Sequence, residues 1–472
     1  MRNRVVGGDH RQIVIFSSNC PADFGVINRN MKNTSTATQL SRRRFLALTG
    51  LAVAGPTIIP SSALGLGGKI APSNRITMGV IGHGWQGGGN TRSFLGLPDC
   101  QMVAVADLDK AHLQEGINNI NSHYKTTGCK GYDDYRELCA RKDIDAVMIA
   151  VPDHWHALTS IEAAKHGKDI YGEKPLARTI AEQQSMVRAV HRNKRIWQTG
   201  SWQRSEKHFH YAAEIVRNGL IGKLKRVEVG LPSGHSDFAK TKEKTAEMPP
   251  PQELNYDFWI GPSKMMPYVE ARVHKNWRWN YNTGGGQLLD WIGHHCDIAH
   301  WGMGCDNDGP SEMEAQGEFP PSDAIWNTCT RYRLTAKYPG DVEMVIAGGH
   351  DDIKGGTKWI GTDGWVWVNR GNAFDSSNKD WTDMRRLPAE LRKIKLYEST
   401  NHYQNFLDCI KSRQPTITPV NTAHHSAIPG HLGLISMLVG RKIRWDAKKE
   451  VILGDAEASQ LLSRPYRKPW KL

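Results

Sequence analysis

Short, nearly continuous apolar runs, each closed by glycine, proline or an acidic residue, recur along the first half of the chain. Residues 75–81, 102–106, 146–151 and 168–171 have this form. Continuous rather than alternating apolar runs predict strands of a parallel sheet covered on both faces. Helix-length stretches separate them: the residues after Gly87, then 132–141 and 157–166. This alternation predicts an α/β chain with a doubly wound sheet. Farther along, the residues from Gln287 onward read as helix. The stretch around Trp359, Trp365 and Trp367 reads as strand, with its indoles packed in a core. Residues 240–251, rich in Lys and Glu and closing in three prolines, read as a surface excursion.

The first strand runs into Gly82-His83-Gly84-Trp85-Gln86-Gly87, a G-x-G-x-x-G, and the second ends in Asp107. Strand, glycine turn, helix, strand and acid in that order predict a dinucleotide site. Gly82 permits the tight turn, Gly84 lets backbone approach a pyrophosphate, and Gly87 lets helix and strand pack closely. The helix that begins here offers free N–H groups and a positive dipole end to phosphates, which makes His83, Trp85 and Gln86 candidate contacts. Asp107 can accept from both adenosine ribose hydroxyls and would repel a 2′-phosphate. Leu108 and Asp109 follow it, with no arginine, so the pattern favours NAD over NADP. Ligands of open parallel sheets sit beyond the carboxyl ends of the strands. Gly82, Asp107, the loop Pro152-Asp153-His154-Trp155-His156 and the pair Glu173-Lys174 all stand at such ends, so one cleft collects them.

A second constellation follows a tryptophan-rich stretch, Trp277-Arg278-Trp279-Asn280-Tyr281. It runs from Gly284-Gly285-Gly286 into Gln287-Leu288-Leu289-Asp290-Trp291-Ile292-Gly293-His294-His295-Cys296-Asp297. On a helix Asp290 and His294 are i,i+4 neighbours, joined on that face by Asp297 and Trp301. A carboxylate one turn from an imidazole can set its tautomer, as a general base requires. The same pair also suits a solvated helix face, or metal ligation for which no third ligand is evident; no metal is assigned. His295 falls off the Asp290 face.

Charge adds a further layer. The 472-residue chain carries 61 Lys and Arg against 48 Asp and Glu, a formal net charge of +13. Residues 1–72 hold nine basic residues and two acids, a net +7, which leaves +6 for residues 73–472. The N-terminal excess centres on Ser41-Arg42-Arg43-Arg44-Phe45-Leu46-Ala47, followed by an apolar stretch too short and too Gly/Pro-broken to span a bilayer. This predicts a twin-arginine signal, with Ala47 where a lysine is usual, and therefore a partner in the twin-arginine export machinery and a periplasmic location. Met31 is the expected true start. With the charge so placed, and no nucleic-acid-binding signature, no nucleic-acid partner is expected. The eight cysteines are scattered with no C-x-x-C and no zinc spacing.

Taken together, the Gly82–Gly87 fingerprint, the Pro152-Asp153-His154-Trp155-His156 loop, Glu173-Lys174-Pro175 and the Gly284-Gly285-Gly286…Asp290…His294…Asp297 run resemble the Gfo/Idh/MocA oxidoreductases, in family order. The tail, from His402-Tyr403-Gln404-Asn405-Phe406 to Arg464-Pro465-Tyr466-Arg467 and Trp470, resembles an exported bacterial subgroup. The signal pattern and the extension ahead of it take residues 1–72. The resemblance implies an N-terminal Rossmann NAD-binding domain over 73–198, and over 199–472 a substrate-binding, catalytic domain with a large, open, mostly antiparallel sheet that often packs against a second subunit. It implies that Lys174 matches the family lysine, Asp290 and His294 its Asp/His pair, and Glu173 and His156 positions lining the nicotinamide. Asp153 stands where many members carry Asn.

The implied activity is NAD-dependent oxidation of a secondary alcohol of a sugar or polyol. His294, oriented by Asp290, would take the hydroxyl proton while Lys174 bonds the same oxygen. The sixteen tryptophans suit sugar faces; Trp279 beside the catalytic run, with Gln203 and Arg204, are the candidate substrate contacts. Exported protein has no free NAD pool to draw on, so the cofactor must travel with it and be regenerated within its own cycle. That makes a redox-neutral, NAD-dependent glycoside hydrolase or lyase the second reading, and a non-catalytic sugar- or NAD-binding regulator the third.

Overall fold

The computed structural model describes residues 74–383 and 387–472, together with Ala71. The expected signal, the start at Met31 and Cys20 lie outside the described residues. The seven described cysteines are all unpaired.

The apolar runs form β1 (Ile76–Ile81), β2 (Cys100–Ala106), β3 (Lys130–Tyr132), β4 (Ala146–Ile149), β5 (Asp169–Gly172) and β6 (Trp197–Thr199). They make one parallel sheet in the order β3-β2-β1-β4-β5-β6. Both faces are covered: Ile81, Ala104, Val147 and Ile170 belong to one apolar cluster, and Met78, Val80, Val105 and Met148 to another. That is why these strands read as unbroken apolar runs. The strand order reverses between β1 and β4, and a crevice opens there at the strands' carboxyl ends. The helix expected over 132–141 is shorter. β3 takes Tyr132, and the helix Tyr135–Ala140 starts only where the Asp134 side chain accepts from Arg136 N–H.

The expected division at 198/199 falls inside β6, because Thr199 still pairs with Gly172. The first core also draws on the far end of the chain. Phe406, Leu407 and Ile410 of the helix His402–Ser412 are buried in it, and Tyr403 Oη donates to Asn90 Oδ1 at 3.0 Å.

The remaining strands are β7 (Leu224–Leu231), β8 (Glu312–Glu318), β9 (Arg331–Tyr338), β10 (Val342–Gly348), β11 (Gly356–Gly361), β12 (Trp365–Asn369), β13 (Ala373–Ser376), β14 (Ile443–Asp446) and β15 (Val451–Ile452). They form a nine-stranded sheet, order β13-β12-β11-β7-β10-β9-β8-β14-β15, antiparallel except for the β7–β10 pair. The helices Lys207–Arg217, Gly286–Met303 and Val420–Val439 pack on it around a core that includes Leu289, Ile292, Leu334, Trp359 and Ile428. Trp359 and Trp367 are buried as expected, while Trp365 is half-exposed beneath the Lys358 ammonium. Residues 240–251 are irregular and almost wholly exposed. No helix among the described residues is long and apolar enough to cross a membrane.

The chain's end closes the molecule. Arg464 donates to Glu182 Oε1 (2.8 Å), Ser263 Oγ (2.9 Å) and His154 O (2.9 Å), and Trp470 meets Trp155 edge-on at 4.8 Å. The tail thereby braces the 152–156 loop against the second sheet's domain.

Candidate active site

A cavity opens at the β1/β4 crevice, lined by Gly82, Gly84, Trp85, Gln86, Asp107, Pro152, His156, Glu173 and Lys174, and on the opposite wall by Trp277 and Arg278. Gly82 has φ +86°, and a Cβ there would lie 2.6 Å from Ala150 O, so only glycine makes this turn. At Gly84 a Cβ would meet nothing nearer than the His112 ring, 3.9 Å away, so the backbone faces open space. At Gly87 it would lie 2.0 Å from Gly82 O. Gly87 therefore packs under the loop and does not line the cavity. The helix Trp85–Leu95 begins with no side chain capping its first N–H groups. Asp107 accepts from His83 N–H at 2.7 Å and Asp109 N–H at 2.9 Å, which aims its carboxylate along the cavity. Open backbone at Gly84, uncapped helix N–H groups and an oriented carboxylate fit the pyrophosphate and ribose of NAD.

The His83 side chain does not line the cavity. Its ring turns inward against Gly116, where a Cβ would lie 2.8 Å from His83 Cγ, and neither ring nitrogen finds a partner among the described residues. Burial holds this imidazole below its ordinary pKa. Only the His83 backbone serves the site. Trp85 is 56% exposed and lies against Phe238, with ring centroids 5.5 Å apart. Glu173 accepts from Asn90 Nδ2 (2.8 Å) and Gln86 Nε2 (3.3 Å), tying the glycine-loop helix to the end of β5. His156 has Pro175 O 2.6 Å from Nδ1 and Val151 O 2.8 Å from Nε2, so its ring joins the two loops that flank the cavity floor.

The helix Gly286–Met303 enters beside these loops. Gly293 makes the approach possible, because a Cβ there would sit 3.0 Å from Lys174 Cβ. Lys174 Nζ donates to Asp290 Oδ1 and Asp290 O, both at 2.9 Å, and Arg278 Nε donates to Asp290 Oδ1 at 3.1 Å. Burial opposes ionisation of Asp290, but the Lys174 and Arg278 charges overcome it and hold the carboxyl at about 2.

The expected Asp290–His294 couple does not form. The carboxylate is committed to Lys174 and Arg278, and His294 Nδ1 is buried without a partner among the described residues. The His294 ring instead sits near Trp291 (5.5 Å) and Trp202 (6.5 Å). Burial first, then the Lys174 and Arg370 charges, push its pKa well below the ordinary value, so the imidazole is neutral at pH 7. Asp297 and Trp301, one and two turns on, hold Arg204.

All three expected substrate contacts are displaced. Trp279 is fully buried, its indole N–H donating to Ser236 O at 2.8 Å, so it is packing rather than a sugar platform. Arg204 is 2% exposed and forks onto Asp297 (2.8 and 2.9 Å) and Asp306 (2.7 and 3.1 Å). Gln203 is fully buried, with Oε1 accepting from Arg370 Nε at 3.0 Å. The indoles beside His294 are Trp202 and Trp291. The first is one residue from the expected pair, and the second lies between Asp290 and His294. Arg278 stands within a quoted motif, but Arg370 comes from the distant β12–β13 turn and has no local signal.

Asp153 does not line the cavity. Its side chain is buried, with Oδ1 unpartnered among the described residues. Burial, then the neighbouring Asp290 charge, push its carboxyl from 3.8 up to about 7. Between those pH values the folded protein keeps a proton the unfolded chain has released, so stability falls as pH rises through that window. Asp153→Asn removes the penalty. It is expected to raise stability above pH 7 by up to about 4 kcal/mol and to change little below pH 3.8, as denaturant melts on either side will show. An equal gain at both pH values would mean that folding leaves the Asp153 carboxyl unshifted.

Among the described residues, Asp109, His112 and His274 have ligating atoms within 4.8 Å of one another. Asp109 Oδ1 already accepts from Ala111 and His112 N–H, capping the helix Lys110–Tyr124.

The chain matches the model for the oxidoreductase family's NAD-binding Rossmann fold over residues 76–201. Over residues 207–472 it matches the model for that family's C-terminal alpha/beta domain. A glycosyl hydrolase family 109 protein of Shewanella pealeana and an alpha-N-acetylgalactosaminidase of Shewanella oneidensis are each 29% identical over 206 residues. Those matches span 39% of this chain and 44% of each relative. Among solved structures, the WlbA dehydrogenase of Bordetella pertussis, in complex with NADH and UDP-GlcNAcA, shares the fold. Its TM-score is 0.58 at 16% identity, over 79% of this chain and 99% of that one. An aldose-aldose oxidoreductase of Caulobacter crescentus shares it at TM-score 0.56 and 17% identity, over 78% and 99%. With an open glycine loop, a strand-end carboxylate and two domain models that together span residues 76–472 nearly end to end, the chain belongs to the Gfo/Idh/MocA oxidoreductase family.

Proposed function

We propose that the protein is an NAD-dependent oxidoreductase acting on a secondary alcohol of a sugar or polyol. The observation that carries this reading is the Lys174–Asp290–Arg278 ion cluster, with neutral His294 on the same helix, at the edge of the dinucleotide cavity. NAD, when bound, supplies the acceptor for a hydride from the carbinol carbon. Lys174 donates a hydrogen bond to the substrate oxygen and stabilises the negative charge that grows there. His294, kept neutral by burial and nearby cations, takes the hydroxyl proton. Asp290, gripped by Arg278, holds the Lys174 ammonium in place rather than orienting His294. Trp202 and Trp291 flank His294 and wall the place for a sugar ring.

The glycosyl hydrolase relatives favour a second reading, redox-neutral cleavage of a glycoside. In both readings the twin-arginine pattern at residues 41–47 supports export of the folded, cofactor-loaded protein to the periplasm. One titration separates the reactions: the purified protein, loaded with NAD, is mixed with sugars and with aryl glycosides. A rise in reduced-nicotinamide absorbance in proportion to added sugar is the expected result. Aglycone release without that rise overturns net oxidation in favour of cleavage, and binding with neither overturns both.

A further inference from the structure

The β12–β13 turn carries a guanidinium with no counter-ion among the described residues. Gly371 and Asn372 take left-handed φ of 74° and 58°, so the turn is tight and sets Arg370 at its start. The Arg370 guanidinium lies over the Trp202 ring at 4.7 Å and the Trp291 ring at 4.4 Å, the two indoles that also flank His294. Nε donates to Gln203 Oε1. Nη2 is buried and donates to nothing among the described residues, and no described carboxylate lies within ion-pair distance. With its faces against indoles and Nε occupied, the Nη1/Nη2 edge is the part of the guanidinium left without a partner among the described residues. That edge is a planar fork of donors whose geometry matches two oxygens of one anion.

A half-buried cation without a partner is costly. Burial indeed weakens the Arg370 charge, with Asp290 the only described group that offsets the loss. Nature more often pairs such a group, as this chain does at Arg204. At Arg370 the missing partner belongs near the reacting centre, since the two indoles that the guanidinium covers are the ones beside His294. We infer that Arg370 binds an acidic substituent of the substrate, so the sugar is a uronate or a sulfate ester rather than a neutral one. The inference rests on the sugar-oxidoreductase reading above and narrows it to anionic sugars. Gln203 is then a positioning residue, setting the tilt of the guanidinium from the buried side.

The test is calorimetric titration of the NAD-loaded protein with matched probes: methyl glucuronide against methyl glucoside, methyl galacturonide against methyl galactoside, and glucose 6-sulfate against glucose. The acidic member of at least one pair is expected to bind about 10- to 100-fold more tightly. The carboxylate and sulfate arms tell the two anions apart. Arg370→Gln is expected to abolish the preference while the neutral probe keeps its affinity. Arg370→Lys should keep part of the preference, because the charge remains and the fork is lost. Unchanged NAD affinity and thermal melting show that both variants fold. Equal binding within every pair, no binding of any acidic probe, or a preference that survives in Arg370→Gln overturns the inference. The readout is binding, so a preference seen without any nicotinamide reduction sinks the oxidoreductase reading and leaves the anion site standing.

Discussion

Lys174→Ala is expected to lower kcat by about 10²- to 10⁴-fold, the usual weight of a positioned acid–base group, with a much smaller change in NAD affinity. Lys174 is the ammonium that joins the cofactor cavity to Asp290, and its contacts to Asp290 Oδ1 and O fix it in place. Alanine removes the donor to the substrate oxygen and leaves Arg278 alone to neutralise Asp290, so that carboxyl rises from about 2. It also removes a cation that depresses His294, next in weight after burial. The residual activity should therefore lose its rate at a higher pH on the acid side than the parent does. Its His294 takes up a proton more readily. Steady-state rates across pH, with cofactor binding followed by protein fluorescence, check both parts. Near-normal turnover would remove Lys174 from the chemistry. A fall in NAD affinity equal to the fall in rate would make it a cofactor ligand instead.

How much of this was legible in the chain depends on how local the signal is. The β1–β2 unit, the glycine loop and Asp107 were readable because strand, turn and helix chemistry is written within about thirty residues. The cleft was readable too, since strand carboxyl ends converge by topology rather than by side-chain detail. Helical phase brought Asp290 and His294 to one face, but it could not show that a carboxylate so placed would be taken by Lys174, 116 residues earlier in sequence. Competition for a single acceptor is a tertiary fact. The same limit displaced Trp279: tryptophans next to a catalytic run are equally good core residues, and only burial tells them apart. His83 illustrates the converse. A position within the fingerprint contributes its backbone N–H to Asp107 while its ring fills space behind the loop. Arg370 arrives from a hairpin turn with no motif, so nothing in sequence spacing could place it beside His294.

Arg204 shows how a misread polar contact becomes a stability element, and a second large effect is expected there. Its guanidinium is buried and bridges Asp297, on the catalytic helix, to Asp306 in the loop beyond that helix. Trp301 covers the guanidinium, centroid at 5.1 Å. Burial raises the Asp297 carboxyl to about 6 against the pull of Arg204, so at pH 7 the pair is charged. Arg204→Met keeps the volume and strands two carboxylates, one fully buried. A loss of about 3–5 kcal/mol at neutral pH is expected. The loss should shrink as pH falls toward about 6, because without Arg204 the Asp297 carboxyl sits higher still and takes up its proton before the parent's does. Adding Asp297→Asn to Arg204→Met should recover part of the stability, since the coupling lies within one contact. Denaturant unfolding of the three proteins at two pH values measures all of this. A stability loss under about 1 kcal/mol, accompanied by a raised KM, would return Arg204 to the substrate side. The geometry points the other way: Arg204 is closed in by Asp297, Asp306 and Trp301, and ties the helix Gly286–Met303 to the loop beyond it.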